Sequence, residues 1–437
     1  MINTAREAAF RALSAFRKGK RPEIEAQKAG PDPRETSFAM RLTSGIMQNM
    51  ILIDYWLSYF VKGGISALQP EVLDILRLSA YQIAFMDRVP KSAAVSEGVE
   101  LAKKYTNLGA VKLINAVLRR VAEFSSELPL PQPDDMIKYL SVKYSHPQEL
   151  VEYFIKAYGV EMTQVILSSD NDIPPIYARV NTPHVRTEQL IQALQEEGCA
   201  VKRHELLPYM LEIATTGSVS QLKAFKDGLF TVQDPAAAIV VEAADICPGY
   251  KIIDACASPG GKTFAAASAL GREGSVLSCD VSEKKLVPIT EGARRLGLDL
   301  IETKVMDASV PHKKYIGAFD RVLADVPCSG FGVIRKKPEI RYKSLASISV
   351  LPKKQLAILK NLSTYVNLGG ILLYSTCTLI KEENESVMEA FLNESSGFEP
   401  EPFAINGLPY VSDGHITLLP GEYGTDGFFI CRLRKKH

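Results

Sequence analysis

Lys251–Asp280, KIIDACASPGGKTFAAASALGREGSVLSCD, is the stretch that decides how this chain is read. Ile252 and Ile253 open a strand that runs through Asp254 into a Pro/Gly turn, and the turn starts an Ala-rich helical run from Lys262 to Leu270. A second apolar run, Val276 to Cys279, ends on Asp280. Strand, helix and strand in this spacing make a βαβ unit. The amides at Gly260 and Gly261, with the positive end of the helix behind them, form a cradle for an anion or a polar ligand tail. Asp280, at the tip of the second strand, stands where a Rossmann-type site holds a ribose by its hydroxyls. The expected ligand is a nucleoside.

Which nucleoside follows from what the turn lacks. CASPGG is not the G-x-G-x-x-G of a dinucleotide site, and a P-loop would need glycine where this chain has Cys256. With both phosphate motifs missing, S-adenosylmethionine fits better. Its ribose would go to Asp280, and its methionine carboxylate to the Gly260 and Gly261 amides and Lys262. A turn that closes strand onto helix and binds nothing fits the same glycines.

Outward from this unit, the rest of the C-terminal half alternates in the same way. Strands are expected at 252–254, 276–280, 301–305, 321–325, 371–375 and 427–433, and helices at 235–245, 262–270, 283–296, 349–366 and 383–394. Such alternation predicts a mostly parallel, doubly wound sheet with ligands at the carboxyl ends of its strands. Pro288 sits inside one of those helices and is expected to cap or kink it.

Upstream the pattern changes. From Thr4 to Phe124 apolar residues recur at three and four (Leu42, Ile46, Met50, Ile53; Val72, Ile75, Leu76, Ile83), which predicts a helical bundle. Pro129, Pro131 and Pro133 mark a linker. Helices follow over 134–169, then a small α+β subdomain with strands at 176–181, around Val201 and at 229–232, and a helix at 187–197. The expected domains are 1–128, 129–233 and 234–437.

Composition bounds the class. The chain has 437 residues, 46% hydrophobic and 23% charged, with a net charge of +1, as in an ordinary soluble protein of more than one core. Residues 1–130 carry 18 Lys and Arg against 13 Asp and Glu, a modest basic excess that favours phosphate partners only weakly. Seven cysteines without a C-x-x-C argue against a disulfide framework and a zinc site. No apolar run is long enough to span a membrane, and the start of the chain lacks a signal-peptide core. The expectation is a cytoplasmic, metal-free monomer.

Two strand ends carry unusual chemistry. RVLADVPCSGFGVIRKKPEIRY places Asp325 and Cys328 in a turn past one strand, and GGILLYSTCTL places Cys377 past another. Asp307, in VMDA, ends a third. A thiolate that adds to C6 of a pyrimidine makes C5 nucleophilic enough to take a methyl group, a carboxyl group can support N3 of cytosine, and a second thiol can assist release. Cys377 and Cys328 suit those two roles, with thiol pKa values lowered in their Ser/Pro/Gly turns. A disulfide between them is the competing arrangement. Cys199, Cys247, Cys279 and Cys431 are expected to be small buried hydrophobes.

DACASPGGKT, Asp280, MDA, DVPCSGFGVIRKKPEIRY, YSTCTLIKEENE and LPGEYGTDGFF together resemble the NOL1/NOP2/Sun family of RNA cytosine-C5 methyltransferases. LRLSAYQIAFMDRVPKSAAVSEGVELAKKY followed by KLINAVLRRV resembles the NusB-type helical RNA-binding domain. The likeness covers nearly the whole chain. It implies a NusB-like bundle, an RRM-like subdomain and a Rossmann-like class I methyltransferase domain. It further implies S-adenosylmethionine as cofactor and an unpaired or flipped-out cytosine of 16S ribosomal RNA as substrate. Carried onto this sequence, Cys377 is the nucleophile, Cys328 assists release and Asp325 holds the base; Cys256, Ala257, Ser258, Pro259, Gly260, Gly261, Lys262, Asp280, Asp307 and Asp325 bind the cofactor. Ser258 departs from the alanine usual in the family turn, adding only a hydroxyl. Arg335, Lys336, Lys337, Arg341 and Lys343, just behind Cys328, are expected to hold the RNA backbone, with Arg119, Arg120, Lys103, Lys104 and Lys112 as weaker candidates in the bundle and Arg179, Asn181 and Lys202 in the subdomain. The rival readings are an enzyme for transfer RNA, and a non-catalytic RNA-binding assembly factor on a dead methyltransferase fold.

Overall fold

The computed structural model describes residues 4–30, 32–126, 128–408 and 411–436, so the expected outer limits at 1 and 437 lie outside the described residues. The chain divides into two compact units: the residues up to Asn171 together with Lys337–Lys343, and Asp172–Lys336 together with the stretch from Ser344 on.

The first unit is all helix: α1 (Ala5–Arg17), α2 (Pro22–Ala26), α3 (Pro33–Phe60), α4 (Pro70–Phe85), α5 (Lys91–Tyr105), α6 (Leu108–Glu123), α7 (Met136–Tyr144) and α8 (Gln148–Ser169). Local signals set the starts. The Thr4 hydroxyl takes the Glu7 N–H, Asp32 caps α3 ahead of Pro33, and Asn107 caps α6. The stripes at three and four converge on one core of Leu42, Ile46, Ile53, Ile75, Leu76, Ile114 and Leu118. Lys104 and Lys103, weak RNA candidates, are paired to Glu7 and Glu100.

The second unit opens with β1 (Ile176–Val180), α9 (Thr187–Glu196), β2 (Ala200–Arg203), β3 (Met210–Ala214), α10 (Lys223–Lys226) and β4 (Phe230–Val232). The strands form an antiparallel sheet in the order β2-β3-β1-β4. Strand β3, absent from the sequence reading, lies between β1 and β2 and makes the motif a split βαβ.

Next come α11 (Pro235–Ala243), β5 (Lys251–Asp254), α12 (Gly261–Leu270), β6 (Ser275–Asp280), α13 (Glu283–Leu296), β7 (Ile301–Val305), β8 (Phe319–Asp325), α14 (Leu351–Ser363), β9 (Val366–Thr376) and α15 (Glu385–Glu394). The chain closes with β10 (Phe398–Pro400), β11 (Phe403–Ala404), β12 (Val411–Ser412), β13 (His415–Leu418) and β14 (Phe428–Lys435). The large sheet runs β10-β14-β9-β8-β5-β6-β7, parallel from β9 to β7, with β14 antiparallel to β9. Alternate residues split between its faces: Ile252, Leu323 and Leu373 join the core under α11 and α12, whereas Ile253, Val322 and Leu372 join the one under α14 and α15. Helix α13 runs from Glu283 through Pro288 to Leu296, with Ser282 at its N-cap, so the proline does not cap it. Among the described residues no helix is long and apolar enough to cross a membrane.

The sheet fixes where a ligand can sit. After β5 the chain goes to one side for β6 and β7, then crosses back to place β8 on the other side. That reversal opens a crevice beyond the ends of β5 and β8, at Asp254 and Asp325.

Candidate active site

A cavity of about 220 Å³ fills that crevice, lined by Gln233, Asp254, Cys256, Ala257, Ser258, Pro259, Gly261, Lys262 and Asp325, among others. Its floor is rigid. The Thr263 hydroxyl on α12 reaches Asp254 Oδ2 at 2.7 Å and lies 3.0 Å from the Ser278 hydroxyl, which ties α12 to β5 and β6. Burial pushes the Asp254 carboxyl up to about 6, against the Thr263 bond. The Ser258–Pro259 peptide is cis. Gly260 has φ 110°, and a Cβ there would stand 2.7 Å from Phe264, so the backbone needs glycine for both reasons.

Asp280 ends β6, buried, and accepts the Ser258 N–H at 3.3 Å and its neighbour Val281's at 2.8 Å, with Lys285 at 3.1 Å. Asp307 follows β7, exposed, with Oδ1 taking the Ser309 hydroxyl at 2.6 Å and N–H at 2.8 Å; those bonds hold its carboxyl below the usual range. Neither lines the cavity, but both stand at adjacent strand ends, where the Met306 N–H meets the Asp280 carbonyl at 3.0 Å.

The two cysteines come together. Strands β8 and β9 are parallel neighbours, with Asp325 opposite Ser375, and the turns beyond them bring Cys328 Sγ to 3.1 Å from Cys377 Sγ. Neither sulfur is in a disulfide, so the competing arrangement is not formed. The Cys328 thiol is pushed well up by the Cys377 thiol and then by burial, so the expected lowering does not hold for it. The turns are braced from below. Glu383 accepts the Ser329 N–H at 2.9 Å and the Gln355 amide at 2.8 Å, and the Ser329 and Thr378 hydroxyls meet at 2.7 Å. Asp325 accepts the Ser375 hydroxyl at 2.9 Å and lies 2.8 Å from Lys262 Nζ. Burial is the largest single influence on the Lys262 ammonium and pulls it down, but the charge and hydrogen bond of Asp325 together with the Asp254 charge leave the amine raised. The lysine expected on a methionine carboxylate is therefore held by Asp325.

The basic run behind Cys328 is largely occupied. Arg335 donates to Asp426 at 2.6 Å and to the Gly424 carbonyl at 3.0 Å, and Lys336 pairs with Asp234 and with Asp426 at 2.7 Å. Arg341 is 0% exposed and donates to the carbonyls of Gln48, Ser145 and Asp170 and to the Asn171 side chain. Arg341 is corrected from an RNA contact to an internal tie, because burial forces a guanidinium onto protein acceptors; Arg335 and Lys336 are committed to Asp234 and Asp426, Lys336 while exposed. Lys337 and Lys343 remain exposed. Asn181 is likewise internal, bonded at 2.8 Å to the carbonyls of Gly228 and Leu296. Cys247, expected to be buried, is exposed, in the turn after α11.

Sequence reading missed Gln233. It is 6% exposed, its backbone N–H is fixed to the Tyr177 carbonyl at 3.1 Å, and neither atom of its amide has a partner among the described residues. A Cβ on Gly261 would lie 3.3 Å from its Nε2. The signal was local: a polar amide caught between the end of β4 and a helix start marked by Asp234 and Pro235.

Model matches divide the chain in the same order as the fold. A NusB family model covers residues 3–123, an RsmF/B-like ferredoxin-like domain 146–220, and 16S rRNA methyltransferase RsmB/F 243–434. The probable ribosomal RNA small subunit methyltransferase B of Bacillus subtilis is 36% identical over 90% of this chain and 89% of its own length. The chain belongs to the RsmB/F family of 16S rRNA methyltransferases. The ribosomal RNA small subunit methyltransferase B of Pseudomonas putida matches over 98% of both chains at 31% identity. Among solved structures, PH0851 superposes with a TM-score of 0.80 over 98% of each chain at 26% identity. NSun6 from Pyrococcus horikoshii, solved with the S-adenosylmethionine analogue SFG, gives 0.59 over 67% of this chain and 98% of its own at 24%, a likeness of fold. As an RsmB/F methyltransferase the chain must hold a methyl donor, and the crevice fits one. A glycine-lined helix start and an unsatisfied buried amide face one cavity, and an amino-acid tail satisfies both.

Proposed function

We propose that this RsmB/F-family methyltransferase transfers a methyl group to C5 of a cytosine in 16S rRNA through a covalent bond between Cys377 and C6. The observation that carries the reading is the 3.1 Å approach of the Cys328 and Cys377 sulfurs at the ends of neighbouring parallel strands, beside Asp325. S-adenosylmethionine supplies the methyl group as an electrophile. Cys256 to Lys262, Gln233, Asp280, Asp307 and Asp325 are the residues assigned to hold it, with Gln233 and the first amides of α12 at its amino-acid end and Asp280 at its ribose.

Each chemical step is assigned to a side chain. The Cys377 sulfur adds to C6 while its proton passes by way of Asp325 to N3 of the base, which leaves C5 electron-rich. The Cys328 S–H, 3.1 Å away, is a hydrogen-bond donor to that sulfur before attack. Asp325, held by Lys262 and Ser375, supports N3 and the exocyclic amine of the base, where charge develops. After methylation the C5 proton must leave and the C6–sulfur bond must break. Cys328 is the base for that proton: once Cys377 is bonded to C6, the Cys328 S–H gives its own proton to solvent, its thiolate takes the C5 proton, and Cys377 leaves C6 with the bonding electron pair. A paired cytosine would not present C5 and C6 to a crevice, so the target base is unpaired or flipped out.

The test is incubation of the full chain with methyl-labelled S-adenosylmethionine and deproteinised 16S rRNA, followed by nucleoside analysis. Label is expected in 5-methylcytidine, and label in any other nucleoside removes the reading.

A further inference from the structure

A second cavity, of about 300 Å³, lies in the same unit between the small sheet and helices α11 and α12. Arg179 points into it from β1. On that central strand Ala178 and Val180 face α9, and Tyr177 and Arg179 face the other way. Arg179 pairs by its backbone with Met210 of β3 and Thr231 of β4, which fixes where its side chain starts. The residue is 5% exposed, and its guanidinium makes no hydrogen bond or ion pair among the described residues.

The other buried arginines differ. Arg321 donates to the carbonyls of Ala244, Asp320 and Asp245, Arg432 to that of Ala243, and Arg341 to those already named. Burial pulls the Arg179 guanidinium down to about 10, with Tyr209 opposing. The acids that line the same cavity have partners other than Arg179. Glu242 takes the Tyr209 hydroxyl at 2.5 Å, and Asp245 lies 3.8 Å from Arg432. Thr182 and Ser268 add hydroxyls to the wall. One uncommitted fork of N–H donors, with hydroxyls beside it, matches an oxyanion. Two nearby carboxylates favour a monoanion over a dianion.

We infer that this cavity binds a phosphate group carrying a single negative charge, and that its source is a phosphodiester of the RNA substrate, held by Arg179 away from the methyl-transfer crevice. The inference rests on the substrate being RNA. It does not depend on the cytosine-C5 chemistry.

The test compares Arg179→Met and Arg179→Lys with the unaltered chain, measuring the KM for 16S rRNA, the salt dependence of RNA binding and the Kd for S-adenosylmethionine. Arg179→Met is expected to raise the KM for RNA roughly tenfold and to make the log–log salt slope shallower by about 0.7. The Kd for S-adenosylmethionine and the rate at saturating RNA should hold, and a loss of either would point instead to the methyl-transfer reading. Arg179→Lys, which keeps the charge without the fork, should fall between, and it carries the test if the methionine variant does not fold. An unchanged KM and slope in a folded variant overturn the inference. A third arm separates the sources: if inorganic phosphate raises the Tm of the unaltered chain above chloride of equal ionic strength, and Arg179→Met loses both that rise and nothing in RNA affinity, the oxyanion site stands and its RNA source is overturned.

Discussion

The turn that leaves β8 and the basic run just behind it carry equally suggestive residue types, yet the structure treats them in opposite ways. At the turn, the one hydrogen-bond partner of the Cys328 sulfur among the described residues is another thiol, and Asp325 at the start of the turn lines a cavity with an unsatisfied amide at Gln233. In the run, Arg335 and Lys336 are bound to Asp234 and Asp426, and Arg341 is ringed by carbonyls. Residue type marks what a side chain is able to bind. Unused hydrogen-bonding capacity next to empty space marks where a ligand is still needed, because a buried polar group left unpaired costs about 1–3 kcal/mol.

The strongest way to break this comparison is at the sulfurs. Cys377→Ser should lower the rate of methyl transfer by at least roughly a thousandfold, as loss of a nucleophile does elsewhere, measured by label incorporation. Cys328→Ala should leave the first bond-forming steps intact and block release, so that a denaturant-resistant protein–RNA adduct accumulates on a gel; normal turnover by this variant would refute the base role of Cys328. On the other side of the comparison, Arg335→Ala should act on stability. It removes one of the two cations that Asp234 and Asp426 share, leaving Lys336, and should cost about 1–3 kcal/mol in urea unfolding at neutral pH. Burial and the Asp234 charge hold the Asp426 carboxyl at about 6. A carboxyl raised in the fold is stabilising when protonated, and that stability is lost as pH rises through 6. The penalty of Arg335→Ala should therefore shrink on acidification below pH 6, and a pH-independent penalty would show that the cation does not act on these acids.

Much of this was legible before any coordinates. The βαβ unit at 251–280, the strand ends at Asp280 and Asp325 and the turns carrying both cysteines follow from periodicity and Gly/Pro punctuation, because buried parallel strands leave continuous apolar runs. Strand β3 was lost because MLEIA is short and its partners β1 and β2 are set by tertiary pairing. The strands from Phe398 to Leu418 were lost for the same reason, each two to four residues long. The fates of Arg335 and Arg341 were invisible in principle. Their acceptors lie far along the chain, at Asp426 and Gln48, and a one-dimensional reading sees only the charge. Gln233 failed in the other direction, since an amide beside a helix cap carries no motif until the cavity in front of it is known.

Two smaller experiments sharpen the contrast. Gln233→Leu removes an amide that has no partner among the described residues, so the protein without cofactor should unfold at the same or higher urea concentration. Its affinity for S-adenosylmethionine should fall about tenfold by calorimetry, the value of one buried polar contact. A loss of stability with unchanged affinity would mean that the amide serves the fold. The smallest effect belongs to Lys337, which is exposed and has no ion pair among the described residues. Lys337→Ala should leave urea unfolding unchanged and weaken RNA binding by about twofold to threefold at low salt, fading as salt screens the contact. If it matched the RNA defect of Arg335→Ala in folded protein, the basic run would act as one surface, and the division between occupied and available cations would fail at the residue where it is easiest to see.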